Sequence, residues 1–105
     1  MPDAHGRTTE FEISEVVLDI LNNIPTGRAT FRALIRGLNS RLPLTLADQV
    51  ISETRPTERL WEQRVRNISS HRKAEGNFIS EGYLIKINGG LQITESGKRR
   101  VTRRN

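Results

Sequence analysis

The triplet Asn88-Gly89-Gly90 constrains this 105-residue chain more than any other feature. It separates two short runs of strand-forming residues, Tyr83-Leu84-Ile85-Lys86-Ile87 and Leu91-Gln92-Ile93-Thr94. An Asn-Gly pair between such runs is a strong hairpin signal. A two-stranded ribbon is marginal in water, so it must lean on other elements. Alternation sends Leu84 or Ile85, together with Ile93, inward and leaves Lys86 and Gln92 facing out.

Directly upstream, residues 57–75 read as one amphipathic helix, capped by Thr57 and ended near Gly76. At 100° per residue, Trp61, Val65 and Ile68 form a compact apolar stripe. The opposite face carries Arg59, Gln63, Arg66, Asn67, Ser70 and Lys73. These are the side chains that meet duplex DNA: Arg and Lys for phosphates or guanine edges, Gln and Asn for adenine, Ser for either. An ordinary solvated face would mix acids among them, and only Glu62 comes near. Arg64 and Arg72 fall close to the apolar side, which suits snorkelling or pairing with acids of the first helix. Trp61 has two readings, a core residue or an aromatic contact to a methylated base, and its place in the stripe favours the core.

The N-terminal half supplies the scaffold. Ile13, Val16, Val17, Ile20, Leu21 and Ile24 repeat on one helical face over residues 10–24. Thr9 and Glu12 fit a capping box, and Pro25-Thr26-Gly27 stops the helix. Gly27-Arg28-Ala29 reads as a minimal strand. Thr30 then caps a second helix with Phe31, Leu34, Ile35 and Leu38 inward and Arg28, Arg32, Arg36 and Arg41 in or beside it. A looser stretch, Leu42-Pro43-Leu44-Thr45, leads to a short helix at 46–53.

Charge is segregated along this order. Residues 1–27 hold one base and five acids, a net of −4, while residues 28–105 hold 16 bases and seven acids, a net of +9. That distribution makes a positive face suited to a polyanion, with the acidic first helix turned away. No run of about 18 apolar residues exists to cross a membrane. The start, MPDAHGRTTE, lacks the apolar core of a secretory signal. With no cysteine, disulfide frameworks and thiolate zinc sites are excluded. Two histidines, one in the terminus, give no metal site, and no cofactor motif is present.

The order helix, short strand, helix, helix, strand, turn, strand describes an α+β winged helix-turn-helix of three main helices and a C-terminal two-stranded wing. Residues 10–97 form the domain, residues 1–9 a flexible N-terminus, and residues 98–105 a basic tail or linker. Arg64-Val65-Arg66, Gly76, and the run from Gly90 through Ile93-Thr94-Glu95-Ser96 to Gly97 resemble the winged-helix accessory domains of restriction endonucleases, including the N-terminal domain of Mrr-type enzymes. Arg72, where a core leucine is usual, and a longer 77–82 connection depart from that pattern.

The resemblance implies a non-catalytic specificity module, cytoplasmic and of prokaryotic or viral origin, that recognises double-stranded DNA for a linked or associated nuclease domain. A modification-dependent form would read N6-methyladenine, with Trp61 as the aromatic methyl contact. Gln63, Arg66, Asn67 and Ser70 are the expected base-reading residues. Arg28, Arg59, Lys73 and Lys86 are the expected phosphate contacts, and an isolated domain is expected to be a monomer. Two alternatives use the same fold: a small transcriptional regulator on operator DNA, and a protein-binding winged helix.

Overall fold

The computed structural model describes residues 9–41 and 60–104. The helix expected at 46–53, the site residue Arg59 and most of the N-terminal segment expected to be flexible lie outside them. Among the described residues, four helices and a three-stranded antiparallel sheet make an α+β arrangement, and none of these helices is long and apolar enough to cross a membrane.

Helix α1 (Glu10–Asn22) starts as its sequence dictates. The Thr9 hydroxyl accepts from the Glu12 N–H at 3.1 Å, and the Glu12 carboxylate accepts from the Thr9 N–H at 3.0 Å. Two of the donors at the start of the helix are thereby satisfied. Ile13, Val17, Ile20 and Leu21 are buried as the helical spacing requires. Strand β1 (Arg28–Thr30) leads directly into α2 (Phe31–Asn39), where the Thr30 hydroxyl accepts from the Ala33 N–H at 3.1 Å. Leu34 and Leu38 are buried, and Gly37 lets α2 approach Ile20 of α1 closely.

Helix α3 (Leu60–Ser70) buries Trp61, Val65 and Ile68 against α1 and α2. It ends five residues short of the expected residue 75. The cause is Asn77, whose side-chain amide donates to the Ile68 carbonyl at 2.9 Å while its oxygen accepts from the Ile79 N–H at 2.8 Å. Arg72 Nη1 donates to the Ser69 carbonyl at 3.1 Å. Side chains from beyond the helix thus satisfy its last carbonyls, which the next turn of helix would otherwise fill.

Strands β2 (Leu84–Ile87) and β3 (Gly90–Ile93) form the expected hairpin. The wing, however, is part of a sheet of three strands and not two, in the order β1-β3-β2. Glycine at 90 permits this, since a Cβ there would lie 2.0 Å from the Ala29 carbonyl oxygen of β1. In the hairpin turn Gly89 has φ of +72°, whereas Asn88 keeps a negative φ.

The expected basic tail is instead α4 (Glu95–Arg104). The Thr94 hydroxyl accepts from the Gly97 N–H at 3.0 Å and donates to the Gly82 carbonyl, fixing the start of the helix. Val101 and Gly97 pack inward, and Gly97 lies over Leu18 of α1 and the Tyr83 carbonyl. Leu18 is consequently buried on a side of α1 that the sequence left to solvent. The acids there are met by arginines: Arg100 Nε donates to Glu15 at 2.6 Å and Arg104 Nη2 to Asp19 at 2.8 Å. The Glu15 carboxylate, accepting that bond, raises the pKa of Arg100 against the opposing effect of burial.

Candidate nucleic-acid interface

Of the four residues expected to read bases, Gln63, Arg66 and Asn67 are half-buried on α3 and Ser70 is exposed at its last position. They lie away from the buried stripe of Trp61, Val65 and Ile68, as helical geometry requires. Trp61 itself is 2% exposed. That burial removes it as an aromatic contact to a base, because the ring is enclosed by the core.

Arg66 is placed by a neighbour that the sequence reading did not connect with it. Its guanidinium carbon lies 5.4 Å from the centroid of the Phe31 ring, a cation–π distance. Phe31 is the first residue of α2, and its N–H donates to the Gly89 carbonyl at 2.9 Å. The middle of α3, the N-terminus of α2 and the tip of the hairpin therefore meet at one place. No local sequence pattern reports such a meeting, since the three residues come from segments far apart in the chain.

The expected phosphate contacts are not equivalent. In the sheet, Arg28 is opposite Gln92, and Ile85 is opposite the same Gln92 from the other side. This row faces away from the core, which leaves Ile85 49% exposed. Lys86 is opposite Leu91, a buried residue, so it belongs to the face on which the helices pack. Lys86 is exposed because β2 is an edge strand. Arg28 and Lys86 thus project from opposite faces, and so do Lys86 and Gln92, which the alternation had grouped together. Directly opposed residues share a face, and one step along a strand reverses it. Lys73 is exposed in the turns after α3 and is not part of its helical face, because the helix stops at Ser70.

Charge pairing separates two regions. Glu15 and Asp19 of α1 are engaged by α4, and Glu10 by His71, whose Nδ1 lies 3.3 Å from it. Among the described residues, no acid pairs with Arg28, Arg32, Arg36, Arg41, Lys73 or Lys86. Arg32 and Arg36 are exposed one helical turn apart on α2, beginning next to Phe31. In the sequence they stand out only as cations of the second helix, and their i, i+4 spacing is the available signal. Positive charge left without an internal partner beside half-exposed amide and guanidinium groups suits a polyanion with readable edges.

No family model, curated protein or solved structure matches this chain.

Proposed function

We propose that this chain binds double-stranded DNA as a winged helix, with α3 entering the major groove and the β2–β3 hairpin lying along the adjacent backbone. The meeting of Arg66, Phe31 and Gly89 carries the reading, because it sets a base-reading side chain, a helix N-terminus and the hairpin tip side by side. Helices read the major groove by side chains on one face, while flanking cations hold phosphates. In this arrangement Gln63, Arg66, Asn67 and Ser70 address base edges. Arg32, Lys86 and Lys73 hold phosphates, and Arg28, on the far face of the sheet, does not. The likeness of the Arg64-Val65-Arg66 and Gly90–Gly97 segments to restriction-endonuclease accessory domains extends the proposal: recognition serves a nuclease domain and is not itself catalytic.

The test is titration of fluorescent duplexes of mixed sequence, with N6-methyladenine-bearing duplexes in competition. Arg66→Ala and Asn67→Ala should each weaken specific binding by roughly 1–3 kcal/mol, about 5- to 150-fold, and blur preference at one base pair. Duplex affinity unchanged by both substitutions would assign the interface to another surface. Preferential competition by the methylated duplex would support the modification-dependent form.

A further inference from the structure

Arg100 reaches from α4 into a ring of aromatic side chains. Its guanidinium carbon lies 4.9 Å from the centroid of Tyr83, 5.0 Å from that of Phe78 and 5.8 Å from that of Phe11. Phe78 stands edge-on to both neighbours, with centroids 5.5 Å from Phe11 and 5.3 Å from Tyr83. Glu15 closes the site, accepting from Arg100 Nε at 2.6 Å, and the Tyr83 hydroxyl lies 3.5 Å from Nη1. The chain has five aromatic residues, and three of them surround this one cation. An ion pair with Glu15 needs none of them. Aromatic rings gathered around the cation, with a carboxylate hydrogen-bonded to its Nε–H, favour guanidinium over the more strongly hydrated ammonium.

The walls do not depend on α4. Phe11 and Glu15 belong to α1, Phe78 to the turns after α3, and Tyr83 precedes β2. The site is also open: Phe11 is 55% exposed, and Glu15, Tyr83 and Arg100 line a cleft of about 270 Å³ together with Arg103 and Arg104. Besides Arg100, α4 is held by the buried Val101 and Gly97 and by Arg104, which lies 3.6 Å from Glu15 and 2.8 Å from Asp19. We propose that Phe11, Phe78, Tyr83 and Glu15 form a guanidinium-binding site whose resident ligand is Arg100.

Arg100→Ala vacates the site, and ethylguanidinium at millimolar concentration is the probe. A saturable rise in melting temperature is expected for this variant. The rise should be absent in the wild type, whose site is filled, and in Arg100→Ala/Glu15→Gln, which lacks the carboxylate. Ethylammonium should give little. Equal responses to the two cations, or the same response in the wild type, would overturn the proposal. A measurement on the intact protein covers failure of the variant to fold. The Arg100 Nε–H resonance should be ring-current-shifted and slow to exchange with solvent, and Phe11→Leu should move it back towards the usual arginine position. A wild-type resonance already at that position would equally overturn the assignment.

Discussion

Asn77→Ala should be among the most damaging polar substitutions in the chain. Asn77 is 8% exposed, and its side chain serves three backbone groups: the Ile68 carbonyl at 2.9 Å, the Ile79 N–H at 2.8 Å and the Ser80 N–H at 3.4 Å. Truncation leaves the last turn of α3 and the start of the following turn without partners. A buried backbone group stripped of its hydrogen bond costs about 1–3 kcal/mol, and two of the three bonds here are short. Partial access of water lowers the sum, so the expected loss is roughly 2–4 kcal/mol. For a chain of this size that lowers the melting temperature by at least about 4 °C per kcal/mol. Asn77→Asp separates the two halves of the interaction. It keeps the acceptor for Ile79 and Ser80 but sets a carboxylate oxygen against the Ile68 carbonyl. Burial and that carbonyl would raise the carboxyl pKa in the folded state, so the penalty is full above that pKa and disappears as pH falls below the unfolded value. Urea unfolding followed by circular dichroism at neutral and acid pH measures both variants. A loss below about 0.5 kcal/mol for Asn77→Ala, within the range of ordinary surface substitutions, would refute Asn77 as the residue that ends α3.

Two further perturbations follow from the packing and the caps. A Cβ at Gly97 would lie 2.4 Å from the Tyr83 carbonyl oxygen and 2.7 Å from Ile93 Cγ1. Gly97→Ala should therefore destabilise by roughly 1–3 kcal/mol as overpacking does, although the same change in an exposed helix interior stabilises by about 0.5–1 kcal/mol; the sign of the change in a thermal melt tests the docking of α4. Burial pushes the Glu12 carboxyl up, but hydrogen bonds to it, those from the Thr9 N–H and hydroxyl among them, outweigh this and hold its pKa below the usual carboxylate range. A lowered folded-state pKa gives stability that is present above the unfolded value of about 4.3 and is lost as pH falls through the folded value. Glu12→Gln should accordingly flatten the acid limb of a stability-against-pH curve, and an unchanged limb would place the titrating group elsewhere.

Much of the scaffold is legible from local pattern, because its determinants are local. Thr9 with Glu12, and Thr30 with Ala33, satisfy donors three residues away, and the stripes of α1 and α3 follow helical spacing. Asn88-Gly89 yields the hairpin. The features that escape are those fixed by distant partners. The segment ESGKRRVTRR has one large apolar residue, Val101, so no stripe announces α4, and the acids that anchor it are 85 residues away in sequence. His71 to Glu75 are compatible with continued helix, and the reach of Asn77 back to Ile68, with Arg72 on the Ser69 carbonyl, ends it. The candidate interface divides the same way. Its α3 residues follow from a helical wheel, whereas the opposite facing of Arg28 and Lys86 depends on strand register and the stacking of Arg66 on Phe31 on tertiary contact.

The salt dependence of duplex binding tests the central proposal most directly. Each phosphate neutralised contributes about −0.9 to the slope of log K against log salt. With Arg32, Lys73 and Lys86 on phosphates, a slope of about −3 is expected, and Lys86→Ala should reduce its magnitude by about one. Failure to bind duplex DNA at low salt, or binding with a slope near zero, would contradict the assignment of this surface to DNA.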